Sequence, residues 1–387
     1  MGAAVKVFLV AGEPSGDKLG GTLMAGLKRL SPGVTFRGVG GPLMRGRGLT
    51  SLFPMDELSV MGLAEVLPKL PHLFRRRDEV VQAVLDWSPD VLVTIDSPDF
   101  CLRVAKKVKA ASDIRTVHYV APSVWAWRPG RAGKMARHID HVLALLPFEP
   151  PYMQAAGMTC DFVGHPVVSE PVATADEAAA FRMQHGITHE MLLILPGSRR
   201  GEVERLAGRF GETLALVLAA RPNLRAVIPA AAPVAGLLEQ ITRDWPGNPL
   251  LLDPRCVPSR TFAASKRAAF AAADAALAAS GTVSLELAAA GTPMVIGYDM
   301  GWISRQIMPH LLKVDTVTLV NLISETHAVP EFIGKACRPE PMAQAILDLL
   351  AAPGAQQAAL DMTMERLGRG GEAPGKRAAR SVLSVVG

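Results

Sequence analysis

Two carboxylates stand close together in Thr94-Ile95-Asp96-Ser97-Pro98-Asp99-Phe100, at the end of a β-branched run. A carboxylate there can act as a general base, taking the proton from an attacking hydroxyl. Asp96 lies nearer the end of the run and is the stronger candidate. The simpler reading is that Asp99 or Ser97 caps the next helix while Asp96 ties down the loop. Further on, Leu195-Pro196-Gly197-Ser198-Arg199-Arg200 places a Gly-Ser turn and two arginines at a helix start, which suits a phosphate or diphosphate. Ala279-Ser280-Gly281-Thr282 through Glu286 repeats the pattern: Ser280 and Thr282 can donate to phosphate, and Glu286 can accept from ribose hydroxyls. Solvated arginines and helix caps are the alternatives at these two places.

Near the start, Gly12-Glu13-Pro14-Ser15-Gly16-Asp17 matches neither a dinucleotide fingerprint nor a P-loop. It is either a ligand contact or a tight turn in which Ser15 or Asp17 caps the helix. A loop rich in aromatics, His118 through Ser123, Trp125, Trp127 and Arg128, suggests a binding wall for a large, partly apolar ligand, or else a packed anchor. Val60 to Phe74, with Val66, Leu67, Leu70, Leu73 and Phe74, runs into Arg75-Arg76-Arg77. Apolar residues beside a basic cluster fit insertion at an anionic lipid surface, or a core segment ending in solvated arginines. Pro68 and Pro71 argue against one uninterrupted helix there. No HxxxH, DxD or clustered histidine suggests a metal, and His118, His138, His141 and His165 read as structural.

The elements that must carry these residues alternate along the chain. Strands are expected at 5–12, 35–41, 90–96, 115–122, 141–148 and 160–164, with helices at 19–30, 78–87 and 101–112. A stretch rich in proline and alanine, about 165–180, reads as a linker. Strands then recur at 191–195, 225–230, 249–252, 274–278 and 293–298, with helices at 203–220, 234–245, 261–272 and 284–290, and the tail is helical. Near-continuous apolar strands alternating with helices imply parallel sheets covered on both faces. The fold class is therefore α/β: two doubly wound Rossmann-like domains with a cleft between them, ligands sitting beyond the carboxyl ends of the strands. The domains expected are 1–165 and 181–341, joined by a linker at 166–180. Terminal helices at 342–387 would pack back on the first domain or on a partner.

Length and composition bound the rest. The chain has 387 residues, a net charge of +5 and a mean hydropathy of +0.23. This excludes a disordered chain and favours anionic partners, but is too diffuse to argue nucleic acid. No apolar run approaches the roughly 20 residues a membrane span needs. Four scattered cysteines suggest neither a disulfide framework nor zinc, so a reducing compartment is expected.

Taken together and in order, the 12–17, 95–100, 118–128, 195–199 and 280–286 segments resemble the lipid-A-disaccharide synthase family, inverting glycosyltransferases of two-Rossmann-domain (GT-B) architecture. The resemblance covers nearly the whole chain. It implies transfer of 2,3-diacylglucosamine from UDP-2,3-diacylglucosamine to 2,3-diacylglucosamine 1-phosphate (lipid X), giving a β-1,6 disaccharide and UDP. It further implies Asp96 as base, Arg199 at the diphosphate, and Glu286 and Asn321 at the donor. Substrate contacts would extend to Glu13, Ser15, Gly16, Asp17, Ser123, Trp125, Ser198, Ser280, Gly281 and Thr282. UDP-sugar would be a substrate, no metal or other cofactor is expected, and the 60–74 stretch would meet the cytoplasmic face of the inner membrane. The chain would be a monomer or a homodimer exchanging C-terminal segments. Between 252 and 274 the family's base-binding loop cannot be aligned. Two other classes compete: a UDP-sugar epimerase of the same fold, and a sugar-nucleotide or lipid-binding protein without catalysis.

Overall fold

The apolar runs become two all-parallel sheets in a computed structural model that describes residues 5–58, 63–125, 130–300 and 314–386, with 63–68 described in their backbone only. The chain divides into two units: residues 1–169 with 370–387, and residues 170–369.

The first unit runs β1 (Lys6–Ala11), α1 (Pro14–Leu30), β2 (Thr35–Val39), α2 (Pro42–Arg45), β3 (Thr50–Ser51), α3 (Leu63–Trp87), β4 (Val91–Ile95), α4 (Pro98–Ala111), β5 (Arg115–Tyr119), α5 (Gly130–Met135), β6 (His141–Ala144), α6 (Pro150–Gln154) and β7 (Thr159–Phe162). The sheet order is β3-β2-β1-β4-β5-β6-β7. Strand order reverses between β1 and β4, and that switch point is where open α/β sheets take ligands. Val7 to Ala11 and Val91 to Ile95 are fully buried, as strands covered on both faces must be.

The second unit follows the same rule: α7 (Ala175–Gln184), β8 (Met191–Leu195), α8 (Arg200–Ala220), β9 (Arg225–Pro229), α9 (Ala235–Thr242), β10 (Leu250–Leu252), α10 (Ser259–Ala272), β11 (Ala275–Ala279), α11 (Val283–Ala290), β12 (Met294–Tyr298), α12 (Leu319–Ser324), β13 (Glu331–Ile333), α13 (Pro339–Ala351) and α14 (Gln357–Arg366). Its order, β10-β9-β8-β11-β12-β13, puts the switch between β8 and β11. The last helix, α15 (Pro374–Val386), returns to the first unit and packs along α1. Gly26 and Gly375 allow the close approach: a Cβ on Gly26 would lie 2.5 Å from the Gly375 carbonyl oxygen. The 342–387 segment is thus shared between the two units.

Three local expectations are corrected. The stretch read as linker contains α7, because Thr174 and Glu177 form a reciprocal capping box (3.2 and 2.8 Å) and Phe181 is buried. Helix α3 runs through Pro68 and Pro71, whose cost falls in its first nine residues while Val80 and Val84 anchor its later turns in the core. Strand β5 stops at Tyr119 rather than Pro122, because Val120 turns to a φ of 87°. Among the described residues no helix is long and apolar enough to cross a membrane.

Candidate functional site

Ala11 pairs with Ile95, so Gly12 and Asp96 leave the first sheet side by side at its switch point. Asp96 and Ser97 both adopt positive φ, 52° and 41°, a conformation costing about 1–3 kcal/mol per residue and concentrated at functional sites. The Asp96 amide donates to the Tyr119 carbonyl (2.9 Å), and Ser15 Oγ donates to Asp96 Oδ2 (3.3 Å). Ser97 Oγ lies 3.5 Å from Glu13 Oε1. Gly12 and Gly16 let the turns close: a Cβ on Gly12 would fall 2.8 Å from Ser97 Oγ, and one on Gly16 3.3 Å from the Ile95 carbonyl. The cluster is electronegative. Burial pushes the neighbouring Cys101 thiol far above its usual range, and the Asp96 and Glu13 charges add to the push. Of the two carboxylates, Asp96 is half-buried at the strand end, whereas the Asp99 side chain is 99% exposed and 3.7 Å from Arg131.

Asp17 is engaged by the protein's own backbone. It is 3% exposed, and its carboxylate accepts from the amides of Gly41, Leu43 and Met44, each at 2.9 Å, which caps α2 from outside. Neither Ser15 nor Asp17 caps α1, whose N-cap is Glu13. In the loop after β5, Ser123 is exposed and Trp125 is buried edge-on against Phe148 (5.1 Å, 81°). Trp127 and Arg128 lie outside the described residues. His118 is structural: burial holds it neutral, its pKa lowered to about 3, beside Thr94 Oγ1 at 2.8 Å.

In the second unit, the ends of β8 and β11 open a cavity of about 440 Å³. Gly197, Ser198, Arg199, Ser280, Gly281, Thr282 and Glu286 all line it. The Ser198 and Arg199 amides are taken by Glu202 Oε2 (3.2 and 3.3 Å), so the anion-binding capacity of this turn rests on the Arg199 side chain, which is 66% exposed. Gly197 has φ of 115°, and a Cβ there would strike Glu202 at 2.7 Å. Gly281 has φ of 152° with open space around it, so backbone can approach a ligand closely.

Helix α10, part of the segment that could not be aligned, brings Phe262, Lys266 and Phe270 into the same cavity. Lys266 Nζ lies 2.6 Å from Glu286 Oε2 and 5.0 Å from the Phe270 ring. The signal for it in sequence is slight: one lysine in an alanine-rich helix, twenty positions before its partner. Asn321 stands apart from this cavity. It is 2% exposed, donates through Nδ2 to the Val329 carbonyl (2.9 Å) and accepts from the Val329 amide (3.0 Å). Its amide is spent on the loop after α12, and it does not line the cavity.

The apolar stretch is partly absorbed into the fold. The Val66 and Leu67 side chains lie outside the described residues. Leu73 packs on the first core, Leu70 is half-buried, and Phe74 is exposed between Arg77 (4.9 Å) and Arg103 (6.0 Å). Arg76 is neutralised by Glu57 and Glu79, each at 2.7 Å.

A family model described as lipid-A-disaccharide synthetase matches residues 7–383. The lipid-A-disaccharide synthase of Ruegeria pomeroyi is 63% identical over 383 residues, 99% of this chain and 96% of the relative. That of Rhodospirillum centenum is 47% identical over 389 residues, 98% of this chain and 94% of the relative. Among solved structures, UDP-GlcNAc 2-epimerase from Neisseria meningitidis bound to UDP-GlcNAc aligns with a TM-score of 0.63 at 11% identity, covering 99% of each chain. Acinetobacter baumannii MurG aligns at 0.55 and 13% identity, again covering 99% of each. These distant likenesses carry the fold alone.

Proposed function

The chain belongs to the lipid-A-disaccharide synthetase family, and on that premise we infer the reaction its residues serve. It is a UDP-sugar glycosyltransferase that makes the lipid A disaccharide. The donor is UDP-2,3-diacylglucosamine and the acceptor is lipid X. Asp96 takes the proton of the acceptor 6-hydroxyl as that oxygen attacks the donor's anomeric carbon. The bond from that carbon to the diphosphate breaks, its electron pair leaves with UDP, and the configuration inverts to β. The observation that carries this reading is the Asp96 carboxylate held half-buried at the β4 end by two consecutive positive-φ residues.

Arg199 and Lys266 supply cationic charge for the departing diphosphate, which supports a transfer needing no metal. Glu286 takes the ribose hydroxyls. The test is incubation of the full chain with both acylated substrates in the presence of a chelator, wild type beside Asp96→Asn. Disaccharide and UDP from the wild type, with turnover lost and UDP binding kept in the variant, support the reading. Near-normal kcat in Asp96→Asn removes Asp96 as base, epimerised UDP-sugar supports the epimerase, and tight donor binding without product supports a binding protein.

The substrates are acylated, and we place the first unit at the cytoplasmic face of the inner membrane. Exposed Phe74 between two arginines supports this. So does a basic cavity of about 420 Å³ lined by Lys106, Lys109, Lys134, Arg137 and His138. Co-sedimentation with anionic vesicles falls in a Leu70→Ser, Phe74→Ser variant if this is right. The chain assembles as a monomer or as a homodimer exchanging C-terminal segments, and sedimentation velocity separates the two.

A further inference from the structure

The loop between β6 and α6 holds a buried acid that the transfer chemistry does not use. Glu149 is 4% exposed. It occupies the N-cap position of α6 without capping it, and its side chain turns back into the preceding loop. There Oε2 accepts from the amides of both Leu145 (3.1 Å) and Leu146 (3.0 Å). Neither of these bonds uses Oε1. The Trp125 indole Nε1 is buried without a complete hydrogen bond, yet close enough to the Glu149 carboxyl to favour its charged form. Phe148, next to Glu149, sets its ring edge-on to Trp125. Ala121 and Val124 from the same loop as Trp125 pack in one apolar cluster with Met153 of α6.

We propose that Glu149 is a positioning residue for the aromatic wall: its carboxylate fixes the β6–α6 turn and, through Phe148 and the indole N–H, seats Trp125. This rests on the substrate contacts that the family resemblance implies for Ser123 and Trp125, which we assign to the acceptor. The ionised carboxylate draws the indole N–H toward Oε1 and completes the bond. The protonated carboxyl presents an O–H instead, and the indole is released to its packing alone. Burial raises the Glu149 pKa to about 7, so both forms are populated near neutrality. The titratable group facing it from β7 is Cys160, whose thiol burial pushes up to about 12 and which therefore stays neutral throughout.

The experiment is a tryptophan-fluorescence titration of the full-length protein between about pH 5.5 and about pH 8.5, in wild type, Trp125→Phe and Glu149→Gln. Wild type shows an emission step near neutrality, and both variants lack it. Glu149→Gln also raises the acceptor KM roughly threefold or more with kcat nearly kept, as expected for lost positioning rather than lost chemistry. A step that survives unchanged in Glu149→Gln, or is absent from wild type, overturns the proposal. If Glu149→Gln fails to fold, Glu149→Asp serves: its shorter arm must shift or abolish the step, and an unmoved step overturns the proposal. Should the coupling be present while Trp125→Phe leaves acceptor KM untouched, Glu149 still positions the indole and the acceptor-wall reading falls by itself.

Discussion

Asp17 separates a structural carboxylate from a binding one, and replacing it tests the distinction. Its two oxygens close three amide bonds at 2.9 Å onto the start of α2, in a site 3% exposed. In Asp17→Asn the remaining carbonyl oxygen keeps the Gly41 and Met44 amides, while the new NH2 confronts the Leu43 amide. One charge-assisted bond is lost and one donor is left facing another, a cost of about 2–3 kcal/mol. Asp17→Ala strands all three amides, one of them partly reached by water, and costs about 4 kcal/mol. For a unit of this size each kcal/mol lowers Tm by about 2–4 °C, so Asp17→Asn melts roughly 5–10 °C early and Asp17→Ala lower still. Gly41→Ala shares the phenotype, because its Cβ would lie 2.6 Å from Asp17 Oδ2. Calorimetry gives the Tm values, and initial rates on the folded fraction give donor KM, which stays at the wild-type value. An Asp17→Asn protein melting within about 2 °C of wild type but with donor KM raised severalfold refutes the argument and returns Asp17 to the ligand.

Three other outcomes are expected. Arg199→Ala lowers donor kcat/KM by about 2–4 kcal/mol of lost charge stabilisation, read from initial rates; an unchanged value removes it from the site. Lys266→Met leaves Glu286 without its cation and the departing diphosphate without one of its two positive charges, so donor kcat/KM falls by roughly tenfold or more with kcat lowered as well, and isothermal titration with UDP shows the weakened nucleotide binding. His118, its folded pKa lowered to about 3 from an ordinary 6.5, contributes stability that is present above pH 6.5 and is lost as pH falls toward 3, since the unfolded chain takes the proton first. The stability deficit of His118→Asn should therefore shrink by about 2 kcal/mol between pH 7.5 and pH 5 in urea titrations, and a constant deficit would count against a neutral buried imidazole.

What could be read beforehand follows from what residue order encodes. Strand β8 was expected at 191–195 and is found there, because five consecutive apolar residues between polar turns leave one choice. The strand ends that carry the site were legible from the glycines and serines that follow them, but the strand order that makes those ends neighbours was not. Side-chain direction was not. Asp17 and Asn321 have the chemistry of ligand contacts, yet each turns its oxygens onto backbone amides of its own unit, and only three-dimensional neighbours decide that. Lys266 was missed because its role depends on how its helix packs against α11, which is a tertiary matter. The prolines of α3 misled because local propensity was outweighed by the valines that dock its later turns.

Helix α15 has a consequence in time as well as space. The groove along α1 that it fills is made by residues 14–30, whereas its own Ala378, Ala379 and Val382, all fully buried, follow two hundred residues of another unit. A ribosome adding about 5–20 residues per second spends roughly 10–40 seconds on that insertion. Throughout it, the nascent first unit displays an unclosed apolar seam to everything in the cell, and the second unit, whose strands are contiguous, finishes before the unit that began first.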